Sequence, residues 1–198
     1  MDIAVVTFDG FNELDSFIAS AILNRMKDQG WNVQITCPTK SVTSMNGLEI
    51  VAQQPLEFAN KADAVLFGSG MLTRQIARDE AILSRFSLDS SNQVIGAQCS
   101  GTLLLSALGL LNDVPACTDL TTKPWVQELG IDVLDQPLYA SGNIATSGGC
   151  LSSTYLAAWT ICKLASKEDA MAAIHYVAPV GEKEASLDHC MSVISAYI

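Results

Sequence analysis

The sequence predicts an α/β fold, a doubly wound parallel sheet. Short apolar runs typical of strands buried on both faces alternate with segments of helical spacing. The clearest runs are Ile3–Phe8, Ala62–Phe67 and Val94–Ala97. The chain has 198 residues, of which 49% are hydrophobic and 16% charged. That length and composition suit one globular domain over residues 1–198, and no linker, repeat or low-complexity stretch divides the chain.

The elements of the first quarter follow from their boundary signals. Asn12 can cap a helix after the first strand, and Gly30 can end it. Trp31–Cys37 is the second predicted strand. Met45–Val51 contains Asn46-Gly47, a strong hairpin signal, and we expect a small excursion from the sheet there. The residues predicted to form the buried stripe of the first helix are Leu14, Phe17, Ile18, Ala21, Ile22 and Met26.

The remaining three quarters continue the alternation. Ala62–Phe67 leads into Gly68-Ser69-Gly70 and then a polar helix over Thr73–Phe86. We expect two short strands at Leu138-Tyr139 and Asn143–Thr146, joined by a turn at Ser141-Gly142. Asp113–Pro124 is predicted to be irregular. The other predicted helices are Trp125–Leu129, Leu151–Ala165, Lys167–Tyr176 and Glu182–Ile198.

The stretch from Gln93 to Leu108 is the first candidate for chemistry. Its β-prone half meets a leucine-rich helical half at Cys99-Ser100-Gly101, with no room for a loop. A tight strand-to-helix turn exposes the residue it carries, as in the serine elbow of lipases. A thiol at a helix N-terminus is expected to be biased towards the reactive thiolate. The alternative is a small, inert cysteine buried in the joint.

Composition and charge exclude several functions. A net charge of −10 argues against nucleic acid and against an anionic membrane as partners. The two long uncharged segments, 90–112 and 136–162, are broken by glycines and amides, so we expect no membrane span and, at the N-terminus, no signal peptide.

The cysteines indicate neither a metal site nor a disulfide framework. The six are scattered without C-x-x-C pairs, and only two histidines are present. We therefore expect free thiols in the reducing cytoplasm, no metal and no cofactor.

Four motifs in order resemble the ThiJ/PfpI superfamily over almost the whole chain. They are Phe8-Asp-Gly-Phe-Asn-Glu-Leu-Asp15, Gly68-Ser-Gly70, Ala97-Gln-Cys99-Ser-Gly101 with Ala107-Leu-Gly-Leu-Leu111, and Gly142-Asn-Ile-Ala-Thr-Ser-Gly-Gly149. The resemblance implies a flavodoxin-like fold related to class I glutamine amidotransferases, and a homodimer. Within the superfamily, the Leu14-Asp15 pair is most similar to the isonitrile hydratase group.

That group adds water to an isonitrile and releases an N-substituted formamide. The resemblance implies a lyase-type enzyme for a small molecule, with Cys99 as nucleophile and Asp15 as proton donor and acceptor. Backbone N–H groups of Gly70 and Ser100 would stabilise charge. Asp119 stands near the position where superfamily members often carry a histidine, so a cysteine–histidine mechanism is not expected.

Each candidate residue also has a plainer interpretation. Asp15 falls three residues after the Asn12 cap, where a carboxylate stabilises any helix start. Glu13, in the same turn, is expected to be solvated. Cys150 and Cys162 are expected to belong to the core, and the role of Cys117 stays open. Trp125 could line the pocket or pack, and His175 and His189 are expected to be structural or surface residues.

Two other classes of function compete with the hydratase. The same fold serves as a ligand-sensing domain in some transcription regulators, but no basic segment follows here. A redox-sensing or repair protein would use reversible oxidation of Cys99. A flavodoxin-like electron carrier is a weaker alternative.

Overall fold

A computed structural model of the chain describes residues 1–198. The strands are β1 (Asp2–Val6), β2 (Asn32–Cys37), β3 (Ser41–Thr43), β4 (Glu49–Val51), β5 (Gln54–Pro55), β6 (Ala64–Phe67), β7 (Val94–Gln98), β8 (Leu138–Ser141) and β9 (Ile144–Ser147). The α-helices are α1 (Glu13–Leu23), α2 (Thr73–Ile76), α3 (Glu80–Leu83), α4 (Thr102–Ala107), α5 (Lys123–Gln127), α6 (Ser153–Leu164), α7 (Lys167–Val177) and α8 (Lys183–Ile194). Short 3-10 turns, among them Cys99–Gly101 and Cys150–Ser152, lead into several helices.

Seven strands form one sheet in the order β5-β2-β1-β6-β7-β9-β8. All neighbours are parallel except the edge pair β8 and β9, which is the predicted hairpin. The predicted doubly wound α/β fold is confirmed. The Asn46-Gly47 excursion is confirmed as well, because β3 and β4 form a separate two-stranded sheet.

The central strands bury both faces, as their continuous apolar sequences require. In β1, Ile3 and Val5 face a core shared with α1, α6, α7 and α8, and Ala4 and Val6 face a second core shared with α4. Trp159 of α6 is fully buried in the first core. The sheet is therefore rigidly held on both sides, and its strand ends are fixed points on which a site can be built.

The predicted buried stripe of α1 is confirmed in part: Ile22 and Met26 are buried, and Phe17 and Ile18 pack against the cores. The helix buries Asp15, Ser16, Ala19, Ile22 and Leu23, whereas Leu14 is 49% exposed and Ala21 is also exposed. The buried positions still follow helical spacing. The first turn, however, buries polar residues rather than the apolar Leu14, because it points into a cluster of polar groups at the ends of the strands.

The predicted polar helix over Thr73–Phe86 is two short helices. Asp79 interrupts it because its side chain accepts hydrogen bonds from the backbone N–H groups of Ala81 and Ile82, which caps α3. The other predicted helices and strands are present with shifted ends. Gly30 ends the first helical segment at a φ of 82°, as expected. None of the helices is long and apolar enough to cross a membrane.

Candidate active site at the carboxyl ends of the strands

Four adjacent parallel strands end at the same edge of the sheet and supply the candidate site. β1 leads to the start of α1, β6 to Gly68-Ser69-Gly70, β7 to Cys99, and β9 to Gly148-Gly149-Cys150. Crevices at the carboxyl ends of strands are the usual place for ligands in open α/β sheets. The motifs that carried the resemblance in the sequence are thus next to one another in space.

Cys99 occupies the predicted strand-to-helix elbow. It follows β7 directly, has a φ of 48°, and opens the 3-10 turn that continues into α4. A left-handed conformation is rare for a residue with a Cβ and costs roughly 1–3 kcal/mol, which the surrounding structure must offset. The Thr118 hydroxyl helps to hold the turn by donating to the Cys99 carbonyl oxygen at 2.7 Å.

Asp15 lies beside this thiol. One carboxylate oxygen of Asp15, the Cys99 sulfur and the Cys150 sulfur all lie within 4.8 Å of one another. Asp15 is 2% exposed, and the Ser69 hydroxyl donates a hydrogen bond to its Oδ2. Its Oδ1 is buried and has no hydrogen-bond partner. A buried carboxylate oxygen without a partner is unfavourable, and such an arrangement is typical of functional sites.

Glu13, two residues earlier, points away from the thiol. The Ser44 hydroxyl and the Asn46 side-chain amide donate to its carboxylate, which ties α1 to the β3–β4 hairpin. These bonds lower the pKa of Glu13. Glu13 is therefore a half-buried structural contact rather than a fully solvated acid.

Gly70 and Ser100 lie together on the opposite wall. The Gly70 N–H donates to Ser100 Oγ at 3.2 Å, and Ser100 Oγ also lies 3.0 Å from Thr73 Oγ1. A Cβ on Gly70 would lie 2.4 Å from the Gly10 carbonyl oxygen, so only glycine allows these two loops to approach. The Gly70 N–H is thus already engaged by the Ser100 hydroxyl, and its role as a charge-stabilising donor stays a prediction.

Asp119 lines the cavity, with its carboxylate held by backbone N–H groups of the same loop. Its carboxylate accepts hydrogen bonds from the N–H groups of Thr121 and Thr122, at 2.9 and 3.0 Å. Trp125 lines the same cavity and stacks under the Arg74 guanidinium at 4.5 Å. His175 and His189 are exposed on the C-terminal helices, as expected.

The prediction that Cys150 belongs to the core is wrong. Cys150 is partly exposed, lines the cavity beside Cys99, and receives a hydrogen bond from the Asn12 side-chain amide at 3.3 Å. The interpretation failed because Cys150 opens a 3-10 turn at the end of β9 and so lies before α6 rather than on its apolar face. Cys117 is fully buried away from the cavity, where burial raises its pKa to about 12.

The surroundings of Cys99 raise the pKa of its thiol and so favour the protonated form, opposite to the expected bias towards thiolate. Burial raises the pKa of Cys99, and the negative charges of Asp15 and Asp119 raise it further. Two effects oppose this rise: the Gln98 side-chain amide donates to the Cys99 sulfur at 3.6 Å, and a helix of six residues, whose dipole is small, begins after the turn. Burial also raises the pKa of Asp15, although the Ser69 hydrogen bond acts in the opposite direction. The site therefore carries a thiol beside a carboxyl group that binds a proton more readily than an ordinary aspartate.

The cavity in front of Cys99 has a volume of about 330 Å³. Met45, Met71 and Trp125 supply apolar surface, and no lysine, arginine or histidine lines it. Asp119 is its only charged lining residue. These features suit a small uncharged molecule with an apolar part.

Asp15, Cys99 and Cys150 also make up the set of side chains that could ligate a metal ion. Two sulfurs and one oxygen would leave a zinc site one protein ligand short of a closed structural set. Both thiols would have to lose protons, and burial raises the pKa of each. The donor set therefore fits proton transfer more readily than metal binding.

Comparison with known protein families identifies the family of this chain. The sequence model of the DJ-1/PfpI family matches residues 1–161. The chain belongs to the DJ-1/PfpI family. This family includes both enzymes and redox-sensing proteins, so membership does not choose between the two. No curated protein matches the chain.

Solved DJ-1 structures share the fold at low sequence identity. The chain is 19% identical to Schizosaccharomyces pombe DJ-1, with 90% of this chain and 100% of that chain covered and a TM-score of 0.75. The chain is 20% identical to Drosophila melanogaster DJ-1beta, with 89% of this chain and 96% of that chain covered and a TM-score of 0.75. It is 19% identical to oxidised Toxoplasma gondii DJ-1, with 89% of this chain and 97% of that chain covered and a TM-score of 0.72. These likenesses support the seven-stranded fold of the family.

Proposed function

We propose that this DJ-1/PfpI protein is a cysteine-dependent hydratase of the lyase type, which converts a small isonitrile into the corresponding N-substituted formamide. The observation that carries the proposal is the buried Asp15 carboxylate beside the Cys99 thiol, with one oxygen held by Ser69 and the other without a partner. A carboxyl group so placed can accept a proton from the thiol and then donate it.

The first half of the reaction adds the thiol across the terminal isonitrile carbon. Asp15 takes the Cys99 proton as the sulfur attacks that carbon, and then delivers the proton to the same carbon. The product is a thioimidate in which Cys99 is bonded to a CH=N group. A protonated resting thiol is suited to this step, because the acid that the isonitrile needs is supplied by the nucleophile itself.

The second half consumes water. Asp15, again a carboxylate, removes a proton from water as the oxygen attacks the thioimidate carbon, and passes the proton to nitrogen. The hydroxyl proton of the resulting tetrahedral intermediate then moves through Asp15 to sulfur as the carbon–sulfur bond breaks. The formamide leaves and the thiol is restored. Gly70 and Ser100 line the same cavity, and their backbone N–H groups are the proposed donors to the oxygen of that intermediate; the Gly70 N–H would have to exchange its hydrogen bond to Ser100 Oγ for this role.

The cavity supports this class of substrate. An isonitrile is uncharged, so its binding does not require a basic residue in the cavity lining. An anionic substrate would be repelled by the carboxylate of Asp119. Met45, Met71 and Trp125 offer contacts for the apolar substituent on the isonitrile nitrogen.

The test is an activity assay with a series of alkyl and aryl isonitriles, following formamide by proton NMR. We expect turnover by the wild type and none by Cys99→Ala. Cys162→Ala is the control, since Cys162 is a partly buried cysteine that lies on α6 outside the cavity, and it should keep wild-type turnover. Absence of turnover by the wild type on every isonitrile, or turnover that survives Cys99→Ala, would reject the proposal.

A further inference from the structure

Two thiols, rather than one, line the cavity. The sulfurs of Cys99 and Cys150 lie within 4.8 Å of each other, and both residues line the same 330 Å³ space. None of the other four cysteines lines that space. Cys99 is 4% exposed, whereas Cys150 is partly exposed and is the more accessible of the two. The site is thus built as a dithiol with one sulfur inside and one at the rim.

We propose that a hydroperoxide entering the cavity converts Cys99 and Cys150 into a reversible intrachain disulfide. This proposal concerns the resting pair of sulfurs and does not depend on the hydration reaction. Its consequence is that oxidation withdraws the Cys99 nucleophile and reduction restores it.

The reaction balances in two steps. The Cys150 sulfur attacks the peroxide, the O–O bond breaks, and Cys150 becomes a sulfenic acid while the peroxide leaves as an alcohol or, for hydrogen peroxide, as water. The Cys99 sulfur then attacks the Cys150 sulfur, the S–O bond breaks, and hydroxide leaves. The Cys99 proton passes through Asp15 to that hydroxide, so water is the second product. Two thiols have been oxidised and one peroxide reduced, and a dithiol reductant reverses the change.

The geometry favours the disulfide over further oxidation. A sulfenic acid on Cys150 has the Cys99 thiol within 4.8 Å, so condensation competes with the attack of a second peroxide. A bonded pair requires the two sulfurs to move closer, and the Cys150 side chain is lightly held, with one hydrogen bond, from Asn12, and a solvent-exposed side. Asp15 Oδ1, which has no partner, is free to carry the proton.

The burial of Asp15 and Cys99 supports the same order of events. Cys99 is nearly enclosed, so a peroxide meets the rim thiol before the inner one. The Asn12 amide donates to the Cys150 sulfur, which offsets part of the rise in the Cys150 pKa that burial and Asp15 cause. Cys99 in turn lies next to the proton acceptor that its own attack requires.

Peptide mapping after controlled oxidation tests the proposal. The reduced protein, washed with chelator, is treated with one equivalent of hydrogen peroxide, blocked with N-ethylmaleimide and digested without reductant. We expect a mass loss of two hydrogens and one crosslinked peptide joining Cys99 to Cys150, both reversed by dithiothreitol. Cys150→Ser should form no crosslink, because it lacks the thiol that the peroxide attacks first. Cys162→Ser should behave as wild type, because Cys162 lies outside the cavity.

The peptide map of the oxidised wild type tests the proposed disulfide even if a variant does not fold. Cys99 oxidised to sulfinic acid in the wild type with no crosslink, or a crosslink between other cysteines, would overturn the proposal. Because the assay contains no isonitrile, a negative result here leaves the hydratase proposal untouched, and the reverse also holds.

Discussion

Asp15 is held in its buried position at a cost to stability. In the unfolded chain its carboxyl group ionises around pH 4, whereas burial raises the pKa in the folded state. The folded protein therefore holds this proton to a higher pH than the unfolded chain does. The contribution of Asp15 to stability is complete below about pH 4 and is lost as the pH rises through the folded pKa.

We therefore expect Asp15→Asn to stabilise the protein near neutral pH, by about 0.5–2 kcal/mol, and to have no such effect below about pH 4. Urea unfolding of both proteins as a function of pH measures this difference. Glu13→Gln is the control from the same turn. Its pKa is lowered in the folded state, so the substitution should leave the neutral-pH stability unchanged or reduce it. A loss of stability in Asp15→Asn at neutral pH would contradict the account.

Some residues of the candidate site could be predicted from the sequence and others could not. The elbow pattern predicted Cys99, whereas Asp15 was assigned to the site only through the family resemblance, since its local position fits a plain first-turn acid equally well. Ser69 and Cys150 were not assigned to the site, since a serine between two glycines and a cysteine before an apolar helix have no local pattern of their own. The expected thiolate failed for a related reason. A helix dipole can be inferred from local sequence, but the desolvation that opposes it depends on residues brought in from other strands.

Among the elements, the joint between β7 and α4 determines the position of the nucleophile. Gly101 begins the helix so close to the end of β6 that a Cβ there would lie 2.8 Å from the Phe67 carbonyl oxygen and 2.7 Å from that of Gly68. Both neighbours are backbone atoms, which cannot turn aside. The elbow is therefore located by contact between two neighbouring strand ends, as well as by the left-handed conformation of Cys99.

Gly101→Ala should destabilise the protein by about 1–3 kcal/mol and displace Cys99, so that turnover falls even in the fraction that stays folded. Gly142→Ala is the control, because its Cβ would meet nothing within 4 Å and only the φ of 59° is unfavourable. That variant should lose about 1 kcal/mol and keep its turnover per folded molecule. Equal turnover per folded molecule in the two variants would count against a positioning role for Gly101.

The elements themselves were largely predictable. Continuous apolar strands, the Asn12 cap and the Asn46-Gly47 turn are local signals, and each led to the observed element. The exposure of Leu14 was not predictable from the apolar pattern, because the first turn of α1 buries Asp15 and Ser16 in a polar cluster assembled from distant loops. Tertiary structure at a functional site overrode the local rule.

On the scale of the whole molecule, we propose a homodimer. Met45 and Met71 line the cavity and are 45% and 64% exposed, which leaves apolar surface at its mouth for a second subunit to cover. Light scattering at micromolar concentration should give twice the chain mass. With a net charge of −10 on each chain, added salt should strengthen the association. A monomer at low and high salt would contradict this.

The central claim is that Asp15 moves protons for Cys99, and the most direct measurement is steady-state turnover of Asp15→Asn beside Glu13→Gln on the best isonitrile. An asparagine fills the same space and can still hydrogen-bond to Ser69, but it cannot pass on a proton. We expect Asp15→Asn to stay folded and lose about a hundred- to ten-thousand-fold in kcat, and Glu13→Gln to lose little. Near-wild-type turnover by Asp15→Asn together with loss in Glu13→Gln would contradict the account, because the proton would then be carried by the carboxylate that points away from the thiol.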